Sequence, residues 1–300
     1  MRTGCRIVLL VGAMAAISPP HRATAYTAAG DRVFPATILL PQNAPSDDFY
    51  FTPLWRPSYS STLPGSTDNL TNYSFTYNKT LTERLSVGVT DGWNKLDQAG
   101  VGTAYGFQNL ETMVQYLAVL DPDHEFLLSV GADREWGIGA RGIGAGGAGA
   151  TTSGLYFGKG MGDIPIPMLQ PFAITGNIAY QLADTSARPD LLVTGIALEY
   201  SIPYLVSKVA NPPLPDFVRA LTPMIELLYT TPASNSRGAT TVGTIAPGVS
   251  YAGDGWELGT ELLVPATRAA GSGVGFIAQF HLALDYLFPD TLGRPLFGAR

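Results

Sequence analysis

Between residues 273 and 287 the chain changes character at every step. Val274, Phe276, Ala278, Phe280, Leu282, Leu284 and Tyr286 share one parity, and Gly275, Gln279, His281, Ala283 and Asp285 share the other, with Ile277 the exception. A period of two belongs to a strand and not to a helix. The pattern recurs. In 172–182, Phe172, Ile174, Ile178, Tyr180 and Leu182 oppose Ala173, Thr175, Asn177, Ala179 and Gln181. In 255–265, Trp256, Leu258, Leu262 and Val264 oppose Glu257, Gly259 and Glu261. The same holds in 126–136 (Phe126, Leu128, Val130 and Trp136 against Ser129, Gly131, Asp133 and Glu135) and in 72–79 (Tyr73, Phe75 and Tyr77 against Asn72, Ser74, Thr76 and Asn78). Most of these runs have the length of a tilted transmembrane strand, about 9–11 residues, rather than the 5–6 usual in soluble sheets.

Weaker alternation predicts further strands at 84–94, 108–120, 152–161, 190–202, 217–230 and 239–252. Another, around 48–58 (Phe49, Phe51, Trp55), brings the number to about twelve. Pro53 sits inside the first, and Pro171, Pro223, Pro247 and Pro265 fall in others. Each removes a ladder donor, which implies a strand end or a bulge. The connections fall into two sets. One (80–83, 121–125, 162–168, 203–216, 253–254) is mostly shorter than the other (59–71, 95–107, 137–151, 183–189, 231–238, 267–272), with the proline-rich 203–216 breaking the rule. Short periplasmic turns and long outer loops are the outer-membrane barrel pattern. Trp93, Trp136, Tyr180, Tyr200, Tyr229, Tyr251, Trp256 and Tyr286 gather near strand ends, as interfacial girdles do.

Composition supports this reading. Only 14% of the residues are charged, Gly numbers 34, and hydrophobic content is 46%. Apolar residues are too abundant for disorder, and no apolar run is long enough for a transmembrane helix. The N-terminus reads as a secretory signal peptide over 1–25. Arg2 and Arg6 precede an apolar run from Ile7 to Ile17, Pro19 and Pro20 end it, and Ala23-Thr24-Ala25 is a small-x-small cleavage site. Its removal takes three arginines and no acid, leaving the mature chain at about −9 from 18 basic and 24 acidic residues. It also takes Cys5, which precedes the apolar run and is no lipidation site, so no disulfide is expected. So acidic a chain does not suit nucleic acid. The sequons at Asn69, Asn72 and Asn78 read as chance. A soluble β-sandwich would also alternate, but strand length, girdles and the lack of cysteine in a secreted chain favour a transmembrane, antiparallel, up-and-down all-β barrel of about twelve strands over 48–288. Residues 26–47 would be a periplasmic N-terminal segment and 289–300 a periplasmic tail.

Several stretches carry a resemblance: Leu155-Tyr-Phe-Gly-Lys-Gly-Met-Gly-Asp163, Gln170-Pro-Phe-Ala-Ile-Thr-Gly176, Tyr200-Ser-Ile-Pro-Tyr-Leu205, Pro223-Met-Ile-Glu226, Ala246-Pro-Gly-Val-Ser-Tyr251 and Gln279-Phe-His-Leu-Ala-Leu-Asp-Tyr-Leu-Phe-Pro289. In these the chain resembles outer-membrane proteins of the "MetA-pathway of phenol degradation" transporter type, over roughly residues 45–300. The resemblance implies a barrel and passage of small, even aromatic, molecules; it supplies no functional residues. One departure concerns assembly. An outer-membrane barrel usually ends in an aromatic residue of its last strand, whereas here Tyr286 and Phe288 end the strand and Pro289 to Arg300 follow, with Phe297 expected to tuck into the barrel mouth.

The inward parity collects Glu111, Asp133, Glu135, Asn177, Gln181, Glu199, Glu257, Glu261, Gln279, His281 and Asp285, joined by Glu226. Few basic residues share it. An acidic lumen repels anions and favours cations or neutral solutes. The expected function is therefore passive passage of small solutes, with outer-membrane lipids, the barrel-assembly machinery and the solute as partners and no cofactor. Two readings stand beside it. In a plugged structural barrel the same polar groups bond one another and water. In an outer-membrane lipid-modifying enzyme His281 serves a nucleophile, Ser250 or Ser272 being available and Glu257 or Glu261 able to orient the ring. His281 and Asp285, four apart on one strand, would be ~13 Å apart and each need a cross-strand partner. His21 lies in the leader and His124 in a turn; one inward histidine and no cysteine make a tight transition-metal site unexpected. Gly137-Ile-Gly139-Ala-Arg-Gly142 matches a dinucleotide fingerprint, but the Gly-Ala repetition to Ala150 cannot supply the helix such a site requires. Residues 137–151 read instead as a flexible outer loop able to fold into the lumen.

Overall fold

The computed structural model describes residues 28–59 and 68–297. The expected leader, with Cys5 and His21, lies outside the described residues, as does most of the first long connection. Twelve antiparallel strands form a closed barrel: β1 (Asp48–Tyr59), β2 (Asp68–Thr82), β3 (Leu85–Gln98), β4 (Leu110–Asp121), β5 (Phe126–Trp136), β6 (Ala150–Gly160), β7 (Phe172–Ala183), β8 (Asp190–Tyr200), β9 (Leu221–Ser234), β10 (Val242–Ala252), β11 (Trp256–Pro265) and β12 (Gly275–Ala283). Each strand pairs with its chain neighbours, and β12 pairs back onto β1 through Phe276↔Trp55 and His281↔Tyr50. Closure leaves no free edge, which a sheet in hydrocarbon requires.

The alternation has its predicted meaning. Tyr73, Phe75, Val89, Tyr116, Ile178, Leu198, Leu258 and Phe276 are exposed on the outer surface, while their neighbours Ser129, Ala173, Thr175, Ala197, Ala246 and Glu261 are buried. Aromatic rings stack in a row around part of the outside, with Phe51 on Tyr73, Tyr73 on Trp93, and Trp93 on Tyr105 at 5.5 Å. No helix among the described residues is long and apolar enough to cross a membrane.

Prolines interrupt ladders without ending strands. Between β12 and β1 no pairing stands between Ile277↔Leu54 and Phe280↔Phe51, where Pro53 offers no N–H. Between β10 and β11 the same gap follows Ile245↔Val264, at Pro247. Pro223 lies just past Glu199↔Met224, the last β8–β9 pair, and Pro265 ends β11. The expectation of a break or bulge at each proline is thus too strong for Pro53, Pro223 and Pro247: a strand tolerates proline wherever one ladder can spare a donor.

Three other expectations change. The connection expected at 95–107 contains a further strand, Gly102–Phe107, which folds back on the extended end of β3. The last strand ends at Ala283 rather than running through Phe288, because Leu284–Leu287 turn into a single helical turn. Asp285 is therefore not an inward strand residue, and Tyr286 is exposed on that turn. The tail returns to β2, with the N–H groups of Leu296 and Phe297 donating to the carbonyls of Thr80 and Leu81. The Phe297 ring is exposed, not tucked into the mouth.

Candidate functional site

The described part of the N-terminal segment, 28–47, does not remain outside the barrel. It enters from the short-turn end, climbs to mid-height and returns. Ala28–Ala29 and Arg32–Val33 pair as a small hairpin turning at Gly30, whose φ is +64°. A Cβ at Gly30 would lie 2.2 Å from the Pro122 carbonyl oxygen, so only glycine fits against the 122–125 turn. Arg32 is fully buried. Its guanidinium donates to the carbonyls of Pro171 and Phe172, both at 3.1 Å, and to Gln170. It also pairs with Glu125 at 3.3 Å and lies 3.9 Å from the centre of the Tyr204 ring. The Tyr204 hydroxyl donates to Glu125 at 2.8 Å; burial and that carboxylate push its pKa up to about 12, so it stays a donor. The long 201–220 connection that broke the length rule supplies this tyrosine.

Above this anchor the segment packs on both kinds of inward residue. Phe34 and Ala44 join Leu117, Leu127 and Ala173, and Ile38 joins Met224, Ala246, Leu263 and Ile277. Glu226 of β9 accepts three consecutive backbone N–H groups, from Ile38 at 2.8 Å, Leu39 at 3.0 Å and Leu40 at 2.7 Å. Three amides converging on one anion form a nest, and hydrogen bonds to a charged acceptor are about twice as strong as neutral ones. The tip turns through Thr37, whose hydroxyl donates to the Leu40 carbonyl at 2.9 Å. Ala36 N–H donates to Glu257 at 3.2 Å. Leu40 sits over Gly195, where a Cβ would meet it at 2.5 Å. On the way down, Asp47 accepts the Thr80 N–H at 2.9 Å and the Lys79 ammonium.

Beneath the tip lies a polar cluster. His281 Nε2 is 2.7 Å from Asp48, and its Nδ1 is 3.7 Å from Glu257. The Tyr50 hydroxyl donates to Asp48 at 2.7 Å and its ring stacks on His281 at 4.5 Å. Ser250 donates to Glu257 and is buried. Ser272 is exposed in the 266–274 connection, nine residues along from His281 at the other end of the barrel, roughly 30 Å at strand spacing. Among the described residues no group of three or more His, Cys, Asp or Glu side chains is placed to hold a metal.

The long-loop half of the lumen differs. Over the tip lies a cavity of about 320 Å³, walled by Ile38 to Gln42 below and by β1 to β6 and Gln279 around. Glu111 and Asp133 face it. Glu111 is exposed although it points inward, so water reaches it. Tyr156 donates to Asp133 at 3.3 Å. Higher still, Glu135 pairs with Arg188 at 2.9 Å and Gln181 donates to Thr152 at 3.2 Å. Asn177 and Glu199 are buried lower on β7 and β8, with Thr175 donating to Glu199 at 3.0 Å, and Glu261 is buried next to Glu226. The 137–149 connection is tied down on Asn109, whose side-chain oxygen accepts the N–H groups of Gly139 and Gly146 at 2.9 and 2.8 Å.

Arg32, Asp48, Tyr50, Asn109 and Glu125 had not been singled out from sequence, nor had the tip itself. One signal was there: Ala36-Thr-Ile-Leu-Leu40 lies between Pro35 and Pro41, an apolar run in a segment expected to be solvated.

No family model matches the chain, and neither does any curated protein sequence. Solved structures do. An outer-membrane channel from Pseudomonas putida F1 superimposes with a TM-score of 0.55 at 12% identity, covering 84% of this chain and 99% of that one. KdgM porin gives 0.47 at 9%, with 78% and 98% covered. The Ralstonia pickettii toluene transporter TbuX gives 0.41 at 12%, with 79% and 78% covered. At such identities the likeness to the first is one of fold, and the chain is a closed twelve-stranded barrel of the outer-membrane kind.

Proposed function

We propose that this protein is an outer-membrane channel through which small neutral or cationic solutes diffuse, and that residues 28–47 are a plug that must shift for them to pass. One observation carries the reading: the lumen is divided into a wetted long-loop half and a short-turn half filled by the chain's own N-terminus. A segment that shares none of the barrel's ladders can leave the lumen without unfolding the barrel. In this reading the long loops face outward and both termini face the periplasm, as the leader and the turn lengths suggest. Barrel-assembly machinery inserts the chain and lipids cover its outer face. The resemblance to MetA-pathway transporters supports passage of small, including aromatic, molecules.

The test uses refolded mature protein in a planar bilayer. Leu40→Cys with Gly195→Cys, the only cysteines once the leader is gone, would lock the tip to β8. Conductance should be low while oxidised and rise on reduction, with cations preferred. Equal conductance in both states would overturn the plug as the barrier.

A further inference from the structure

We infer that the cavity over the plug tip is a binding site for a small organic cation, a protonated amine carried on an apolar body. The inference rests on the channel reading only for its physiological role; the site itself is argued from the wall.

The polar part of that wall offers acceptors and no spare positive charge. Glu111 and Asp133 stand on neighbouring strands. Glu111 stands opposite Glu135 and Met113 opposite Asp133, which makes Glu111 and Asp133 diagonal neighbours on one face, their positions on the sheet roughly 7 Å apart. Among the described residues no lysine, arginine or histidine lines the cavity, and Arg188 higher up is paired with Glu135. Two side chains of the wall, Asn78 and Gln115, are each only 3% exposed, and their oxygens Asn78 Oδ1 and Gln115 Oε1 have no hydrogen-bond partner among the described residues. Several donors nearby are engaged. The Gln115 amide gives its hydrogen to the Gln42 carbonyl at 3.0 Å, Ser74 donates to the Thr52 carbonyl at 3.2 Å, and Thr76 and Thr90 bond one another at 2.8 Å.

The apolar and aromatic part of the wall is made by Leu39, Leu40 and Pro41 from the plug, Met113, and the rings of Tyr50 and Tyr156. An anion would meet two carboxylates and no positive charge. A neutral apolar molecule would leave both carboxylates without a counter-charge and strip water from them, a cost of the kind that buried polar groups always carry. An ammonium supplies the counter-charge that the two carboxylates lack and three donors for them, and an aromatic or aliphatic body fills the side made by the plug. At about 320 Å³ the cavity lies at the small end of ligand sites.

Equilibrium titration of the refolded protein with three probes of similar shape tests this. 2-Phenylethylammonium should bind saturably at one per barrel, at least tenfold tighter than 2-phenylethanol, and 3-phenylpropionate should not bind. Glu111→Gln combined with Asp133→Asn should remove at least tenfold of the ammonium affinity while leaving the alcohol unchanged. Asp133→Asn alone, a smaller perturbation, should give an intermediate loss if the double variant refolds poorly. Equal affinity for amine and alcohol, or an amine affinity indifferent to both variants, overturns the proposal. Binding does not require passage. Loss of the site with intact redox-dependent conductance would sink this inference alone, and intact amine binding with conductance indifferent to the Leu40–Gly195 lock would sink the channel reading alone.

Discussion

Glu226 and Glu111 are both inward-facing glutamates on barrel strands, yet they live in different solvents. Glu226 is fully buried and its solvent is the backbone of Ile38, Leu39 and Leu40. Glu111 is wetted, and its solvent is the cavity. The β8–β12 side of the barrel has been converted into a protein interior by a segment that supplies amides to its acids and methyl groups to Met224, Leu263 and Ile277. On the β2–β5 side the same segment packs on Leu117 and Leu127 lower down, and the wall above the tip stays open to the cavity. An inward carboxylate is thus a structural acceptor or a ligand contact according to what the rest of the chain brings opposite it.

The sharpest way to break this contrast is at the plug's anchor. Arg32→Met should cost about 3–5 kcal/mol of plug docking, because it unpairs a buried ion and three carbonyl contacts at once. Limited proteolysis should then cut within 28–47 while the barrel stays intact; an uncut segment would refute the anchor. Glu226→Ala comes next. It leaves three N–H groups without their acceptor, and at about 1 kcal/mol or more apiece it should weaken docking by about 3 kcal/mol and raise conductance. A silent Glu226→Ala would mean that Ile38 packing alone holds the tip.

A third effect depends on pH and sits below the plug. Burial, then the neighbouring Asp48, raises the Asp285 carboxyl to about 7. A raised acid favours the protonated folded state, so the penalty of ionising Asp285 is absent at low pH, grows between about pH 4 and 7, and is complete above that. Asp285→Asn should therefore stabilise the protein by about 2 kcal/mol at pH 8 and by nothing at pH 3, as read by urea unfolding in micelles at the two pH values. A pH-independent gain would assign the effect to packing. The smallest change belongs to the wet half: Glu111→Ala should alter stability by no more than about 0.5 kcal/mol. If it costs as much as Glu226→Ala, the two halves are not different after all.

The predicted boundaries 126–136, 172–182 and 255–265 match β5, β7 and β11 to within a residue at either end. They were legible because a transmembrane strand has one apolar solvent along its whole outer side, and period two records it. The candidate site was legible only as a face. Alternation put Glu257 and Glu261 inward and left the phase around Glu226 ambiguous, and parity carries no information about height in the barrel or about what lies across the lumen. Asp285 failed for a related reason: its residue types continue the alternation, while the backbone leaves the sheet at Leu284.

What the sequence determined by itself is the barrel: about twelve strands with an apolar outward parity and an acidic inward one, set by local pattern and by the need to satisfy every backbone group in hydrocarbon. What only the tertiary structure decided is the state of the lumen. Ile38 and Glu226 are 188 residues apart, and no local pattern links an aperiodic N-terminal run to an acid on the ninth strand. Their meeting depends on closure of the ring, which gathers inward side chains from strands distant in sequence around a space that either water or the chain itself can fill.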